Sequence, residues 1–198
     1  MTALEDAATS VVRCRSGRPG PSASVVLHPD RLEVHLPCGE AAPASLLAAG
    51  GLVLDLGAAL ARAGWRSVVE RPVESGGPLA VLRPVPGLPD LFLAALPPAL
   101  PDEGADDRTL DVSADDVRQL AVTAAGDGIQ TTCTAGRPTS LVLSADKDDP
   151  HAWVRIGEAL QRLTRTAAGR GTTVHPSLPR EGRPPIRLPV RLCRRVCH

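Results

Sequence analysis

The stretch AAGGLVLDLGAALARA, Ala48 to Ala63, constrains the fold more than any other part of the chain. At helical spacing its leucines, Val53 and its alanines surround most of the circumference, so no single apolar stripe exists. A helix of this kind has to be covered on most sides by other elements. Asp55 interrupts the apolar run from Leu46 to Leu54, which is too short to cross a bilayer. Gly64 ends the helix and Trp65 leads out of it. The expectation is a buried central helix in a domain large enough to wrap it. A chain of 198 residues, 43% hydrophobic and 22% charged, can supply that core.

The elements available for the wrapping are readable from periodicity. Leu4, Ala7, Ala8, Val11 and Val12 lie on one face of a short N-terminal helix. SVVL and RLEVHL flank HPD, which predicts two strands and a tight turn. SVVE and LAVLR follow the apolar helix as further strands, separated by the turn residues SGG. Residues 84–107 read as a connector: six prolines enclose one short helix in LFLAAL, and the acidic DEGADD follows. Ser113 with Asp116 three residues on starts a helix over Ala114 to Ala125, and SLVLSA is a strand ended by KDDP. In HAWVRIGEALQRLTRTAAGRG the residues Trp153, Ile156, Leu160, Leu163 and Ala167 form a stripe, with Arg155, Glu158, Gln161, Arg162 and Arg165 mostly outside it. Residues 176–198 read as an arginine- and proline-rich tail with one strand in IRLPVRL. An internal echo runs through this list. Gly50 to Gly64 brackets a helix that leads into a strand, and so does Gly157 to Gly171.

Composition narrows the functional classes. Formal net charge is zero, which gives no global attraction to nucleic acid or an anionic membrane. Trp65, Trp153 and Phe92 are the only aromatic side chains, so base-stacking platforms are scarce. The N-terminus, with Glu5 and Asp6, lacks a signal pattern, and five cysteines fit reduced intracellular thiols; a cytoplasmic protein is expected. Cys193, Cys197 and His198 in CRRVCH offer three metal ligands at an unusual spacing without a second pair, so no metal site is expected. His28, His35, His151 and His175 show no spacing to a serine or cysteine that implies a nucleophile–base pair. Asp102, Glu103, Asp106 and Asp107 lack the alternation of a calcium loop and read as a solvated acidic segment. No phosphate-binding Walker loop and no strand-linked G-x-G-x-x-G occurs.

One stretch remains. RCRSGRPGPSAS, Arg13 to Ser24, carries three arginines, two glycines, two prolines and three serines after the first helix. Guanidiniums, hydroxyls and exposed backbone N–H groups can hold a phosphate, and an unstructured loop has the same composition.

LVLSADKDD followed by Trp153, Arg155, Gly157, Ala159, Leu160, Arg162, Thr166, Ala167 and Gly171 resembles the C-terminal helix region of the Acg-type nitroreductase-like proteins of actinobacteria. Gly50, Val53, Leu56, Ala59, Gly64 and Trp65 resemble that family's glycine-started helix, with PDRLEVHL as the preceding strand. ADDVRQLAVTAA is similar to a later helix, and a central block of the family is missing between Val122 and Leu141. The resemblance implies an α+β, nitroreductase-like fold: one shortened domain over residues 1–198, a mixed or antiparallel sheet among helices, and a homodimer. It implies FMN as cofactor and NAD(P)H as reductant. The family's flavin motif, R-A-P-S-x-H-N-x-Q-P-W, falls on the stretch that begins at Arg13. Arg13 and Ser16 match, whereas Arg18, Pro19, Pro21 and Ala23 replace its His, Asn, Gln and Trp. Arg15 and Arg18 are candidate replacements in the phosphate grip. ALPDEGADD stands where the family has an arginine cluster, and carboxylates there repel a phosphate. The implied function is a nitroreductase-like relative of FMN-dependent oxidoreductases, catalytically impaired or flavin-sequestering. The alternative is a non-catalytic, partner-binding or vestigial protein without flavin. A third reading makes the tail arginines (Arg180, Arg183, Arg187, Arg191, Arg194 and Arg195) an interaction module.

Overall fold

The computed structural model describes residues 2–15, 23–37, 42–73, 76–97, 112–126, 128–134, 140–178 and 186–194. The fold is α+β, and one sequence of elements occurs in it twice. The first half runs α1 (Ala3–Arg15), β1 (Ser24–Leu27), β2 (Leu32–His35), α2 (Pro43–Arg62), β3 (Arg66–Glu70) and β4 (Ala80–Val85). After α3 (Leu91–Ala95), the second half repeats it as α4 (Ala114–Ala124), β5 (Gln130–Thr134), β6 (Ser140–Ala145), α5 (Pro150–Ala168), β7 (Thr172–Pro176) and β8 (Ile186–Arg194). Each half builds a four-stranded antiparallel sheet, in the orders β1-β2-β4-β3 and β5-β6-β8-β7. The echo in the sequence is therefore a repeat of topology.

Each sheet packs against helices of its own half, and the two halves meet along α2 and α5. That arrangement answers the demand made by the apolar helix. α2 has sheet on one side, α5 on another, and α1 and α3 at its flanks. It begins at Pro43, earlier than its apolar run, because a proline at the first helical turn gives up no hydrogen bond. By length and composition α2 could cross a membrane, but 89% of its apolar window is buried inside the protein. It is the core helix of a globular fold. One continuous core joins the halves, with Leu32, Val34 and Leu82 from the first sheet and Leu141, Leu143 and Leu188 from the second.

The helices touch backbone to backbone where they cross. A Cβ on Gly50 would overlap the carbonyl oxygen of Val154 and stand 2.8 Å from Glu158 N. A Cβ on Gly157 would overlap the carbonyl oxygen of Leu47 and stand 2.8 Å from its Cα. These contacts are reciprocal: the shift in numbering that carries Gly50 onto Gly157 carries Leu47 onto Val154. The same shift carries Pro43 onto Pro150, and Gly64 onto Gly171. Both latter glycines take positive φ, 85° and 67°, as the chain leaves its helix.

The second sheet departs from expectation in three places. β5, QTTCT, and β7, TTVHP, are threonine-rich edge strands that carry little apolar alternation. The expected tail is in part structural: β8 is an inner strand, paired with β6 and β7. Ile186, Leu188, Val190 and Leu192 point into the core while Arg187, Arg191 and Arg194 face outward. Period two thus hid inside an arginine-rich composition. Pro189 is tolerated because its backbone faces the β7 side, where its carbonyl accepts Ser177 N–H just past the last paired residue.

The crossing yields a sharp test. Gly50→Ala and Gly157→Ala should each lose about 3 kcal/mol or more in urea unfolding, since the obstacle is backbone. Gly57→Ala, whose new Cβ would meet only Leu93 Cδ1 at 3.7 Å and Ser67 Oγ at 3.8 Å, should be neutral or gain up to ~1 kcal/mol from helix propensity.

Candidate binding cleft

Where α2 and α5 diverge from their crossing, a cleft of about 610 Å³ opens between the halves. α2 supplies an apolar wall in Val53, Leu54 and Gly57, and β3 adds Ser67 and Val69. α3 closes one side with Asp90, Phe92 and Leu93. The opposite side is cationic. Arg155 and Arg162 stand two helical turns apart on α5, Glu158 lies between them, and Arg71 reaches in from the end of β3.

The five charged groups are not equivalent. Arg71 Nη2 binds both oxygens of Glu158, at 2.7 and 3.0 Å, so that carboxylate is engaged in a half-buried ion pair. Asp90 accepts the backbone N–H groups of Phe92 and Leu93 and caps α3. Arg155 and Arg162 have no hydrogen bond or ion pair among the described residues, and the Nε of each is buried without a partner. Their guanidiniums lie beside the turn after α4. A Cβ on Gly128 would stand 3.5 Å from Arg155 Nη1, and one on Gly126 would stand 3.5 Å from Arg162 Nη1. With three guanidiniums set against the carboxylates of Glu158 and Asp90, the described lining of the cleft is net positive.

The repeat provides an internal control. The shift that superposes the halves puts Ala48 where Arg155 stands, Gly51 where Glu158 stands, Asp55 where Arg162 stands and Leu178 where Arg71 stands. The first half thus has no counterpart of the arginine pair. Asp55 is buried, bound by Arg165 Nη2 at 2.8 Å and Gln161 Nε2 at 3.0 Å. The architecture does not need these arginines, since it is built once without them.

Sequence reasoning placed Arg155, Glu158, Gln161, Arg162 and Arg165 mostly outside the apolar stripe of α5. The structure buries Glu158 and Arg165 and half-buries the other three. An amphipathic pattern assumes one packed face, whereas α5 is packed on a second face by α2. The all-round apolarity of Ala48 to Ala63 was the signal that another helix had to lie against it.

The flavin-motif candidates are placed differently. Arg13 and Arg15 belong to the last turn of α1, while Ser16 and Arg18 lie outside the described residues. Cys197, His198 and the carboxylates from Asp102 to Asp107 lie outside them as well. Cys193, expected in the arginine- and proline-rich tail, is buried in β8. No group of three or more His, Cys, Asp or Glu side chains suited to a metal occurs among the described residues. No protein-family model matches the chain, and no curated protein matches it either.

One histidine pair does converge, on the outer face of the first sheet. Glu33 accepts from Arg31 Nε at 2.8 Å through one oxygen, while His35 Nε2 at 3.1 Å and His28 Nε2 at 3.2 Å meet the other. The Arg31 hydrogen bond, with those of His35 and then His28, holds the Glu33 carboxyl at about 2 against the opposing effect of burial. A depressed carboxylate stabilises the fold above its unfolded value near 4.5 and loses that contribution as pH falls toward 2. The stability difference between wild type and Glu33→Gln should therefore be constant above about pH 5.5 and shrink between pH 4.5 and 2. Urea midpoints measured across that range read it directly.

Proposed function

We propose that the protein is a non-catalytic binding protein whose cleft receives an anionic ligand with an apolar body. The observation that carries this reading is the pair of buried, partnerless Nε atoms on Arg155 and Arg162. Buried polar groups are normally satisfied, and a buried N–H left without an acceptor destabilises the fold. An arriving carboxylate or phosphate would supply that acceptor and form charge-assisted, bidentate hydrogen bonds. The apolar wall opposite suits the rest of such a ligand. The polar lining consists of guanidiniums, an ion-paired glutamate, a helix-capping aspartate and the Ser67 hydroxyl. That set suits holding a ligand better than attacking it. The free thiols of Cys133 and Cys193 fit a reducing cytoplasm as its location.

A flavin oxidoreductase is the second reading. The same guanidiniums suit the phosphate of FMN, the cofactor that the resemblance implies, and Phe92 and Leu93 could border its ring system.

Thermal melting with pyrophosphate, citrate and FMN separates the outcomes. A ligand at 100 times its Kd adds roughly 2.7 kcal/mol, which raises Tm by about 5–10 °C in a chain of this size. The shift should vanish in Arg155→Ala/Arg162→Ala. If none of the three anions moves Tm, the cleft is not an anion site. FMN that binds and then bleaches with NADPH would favour the oxidoreductase.

A further inference from the structure

We infer that the occupant of the cleft is an acidic, apolar segment of a partner polypeptide, a step that rests on the anion-site reading above. Its carboxylates would sit on Arg155 and Arg162 and its apolar side chains on α3. The argument begins with α3 itself. No residue of this helix is buried; Phe92 is 52% and Leu91 77% exposed, and Leu88 just before it is 90% exposed. A small anion on the guanidiniums would leave these side chains in water. A longer ligand covers both surfaces, because Phe92 lines the cleft while Leu91 and Leu88 lie beyond it.

Charge complementarity fixes the chemistry of that ligand. The cationic wall and the apolar rim adjoin, so the matching surface carries carboxylates beside aliphatic or aromatic groups. Planar guanidiniums take carboxylates bidentately, which gives register as well as attraction. Nucleic acid fits less well. The cleft also holds the carboxylates of Glu158 and Asp90, and Phe92 is its one aromatic side chain. The repeat bears on the arginine pair as well, since Ala48 and Asp55 stand at the equivalent places on α2.

The experiment is a selection of random peptides displayed on phage against the full chain. Enriched peptides should combine Asp or Glu with Leu, Ile or Phe. As synthetic peptides they should lose about tenfold or more in affinity for Arg155→Ala/Arg162→Ala and, separately, for Leu91→Ser/Phe92→Ser. Arg155 and Arg162 make no described hydrogen bond, and Leu91 and Phe92 are exposed, so circular dichroism of both variants should match wild type. No enrichment, or enriched peptides indifferent to either variant, overturns the proposal. If pyrophosphate or citrate still raises Tm in that case, the anion site stands and only the polypeptide partner is lost. Sedimentation of the free protein covers a remaining occupant. A dimer dissolved by the same variants would place a second copy in the cleft and also overturn the proposal.

Discussion

The contact on which the rest of the structure depends is the crossing of α2 and α5 at Gly50 and Gly157. Each glycine lets the other helix's backbone approach to where a side chain would stand. With no side chains to fill the crossing point, the two helices form one unit, and each half's sheet covers its outer side. Close approach at one point has a geometric consequence. The helices diverge away from it, and the space between them must be filled, bridged or left open. Asp55, Arg165 and Gln161 bridge part of it with a polar network. Another part stays open as the cleft. Site and crossing are therefore parts of one arrangement.

That arrangement explains why the pattern of α5 misled while that of α2 did not. A helix apolar on every side states that it is buried on every side, and Ala48 to Ala63 kept that promise. A helix with a clean stripe states only that one face is packed. Trp153, Ile156, Leu163 and Ala167 are buried as their spacing requires, with Trp153 Nε1 donating to Asp148. The stripe is silent about a second packed face whose residues include Arg and Glu. The burial of Glu158 follows from its pairing with Arg71, distant in sequence, which local periodicity does not encode.

The same limit decides which strands were legible. Strands with an inward face were found from alternation: β1, β2, β3, β4, β6 and the IRLPVRL part of β8. β5 and β7 lack the paired valines that mark the other two edge strands, β1 and β3, and their threonines resemble a loop. Local chemistry was readable where it is local. Ser113 accepts Asp116 N–H at the start of α4, as the spacing of the two residues predicted. The repeat was readable only as two glycines separated by equal spans. Its physical meaning, two backbones in contact, needed both halves in place.

A duplicated architecture also turns symmetry into an argument about function. Selection for folding alone acts on both halves alike, so a residue demanded by the fold should have a counterpart of similar kind. Gly50 and Gly157 meet that condition, as do Leu56 and Leu163, both fully buried. Arg155 and Arg162 do not. Alanine and an ion-paired aspartate serve at the equivalent places. Holding the Nε groups of two arginines buried without acceptors costs stability that an alanine would not cost. A fold that tolerates that expense in one half and avoids it in the other has a reason confined to that half. A ligand that completes the hydrogen bonds of Arg155 and Arg162 is such a reason, and the cleft beside the helix crossing is the place where it can reach them.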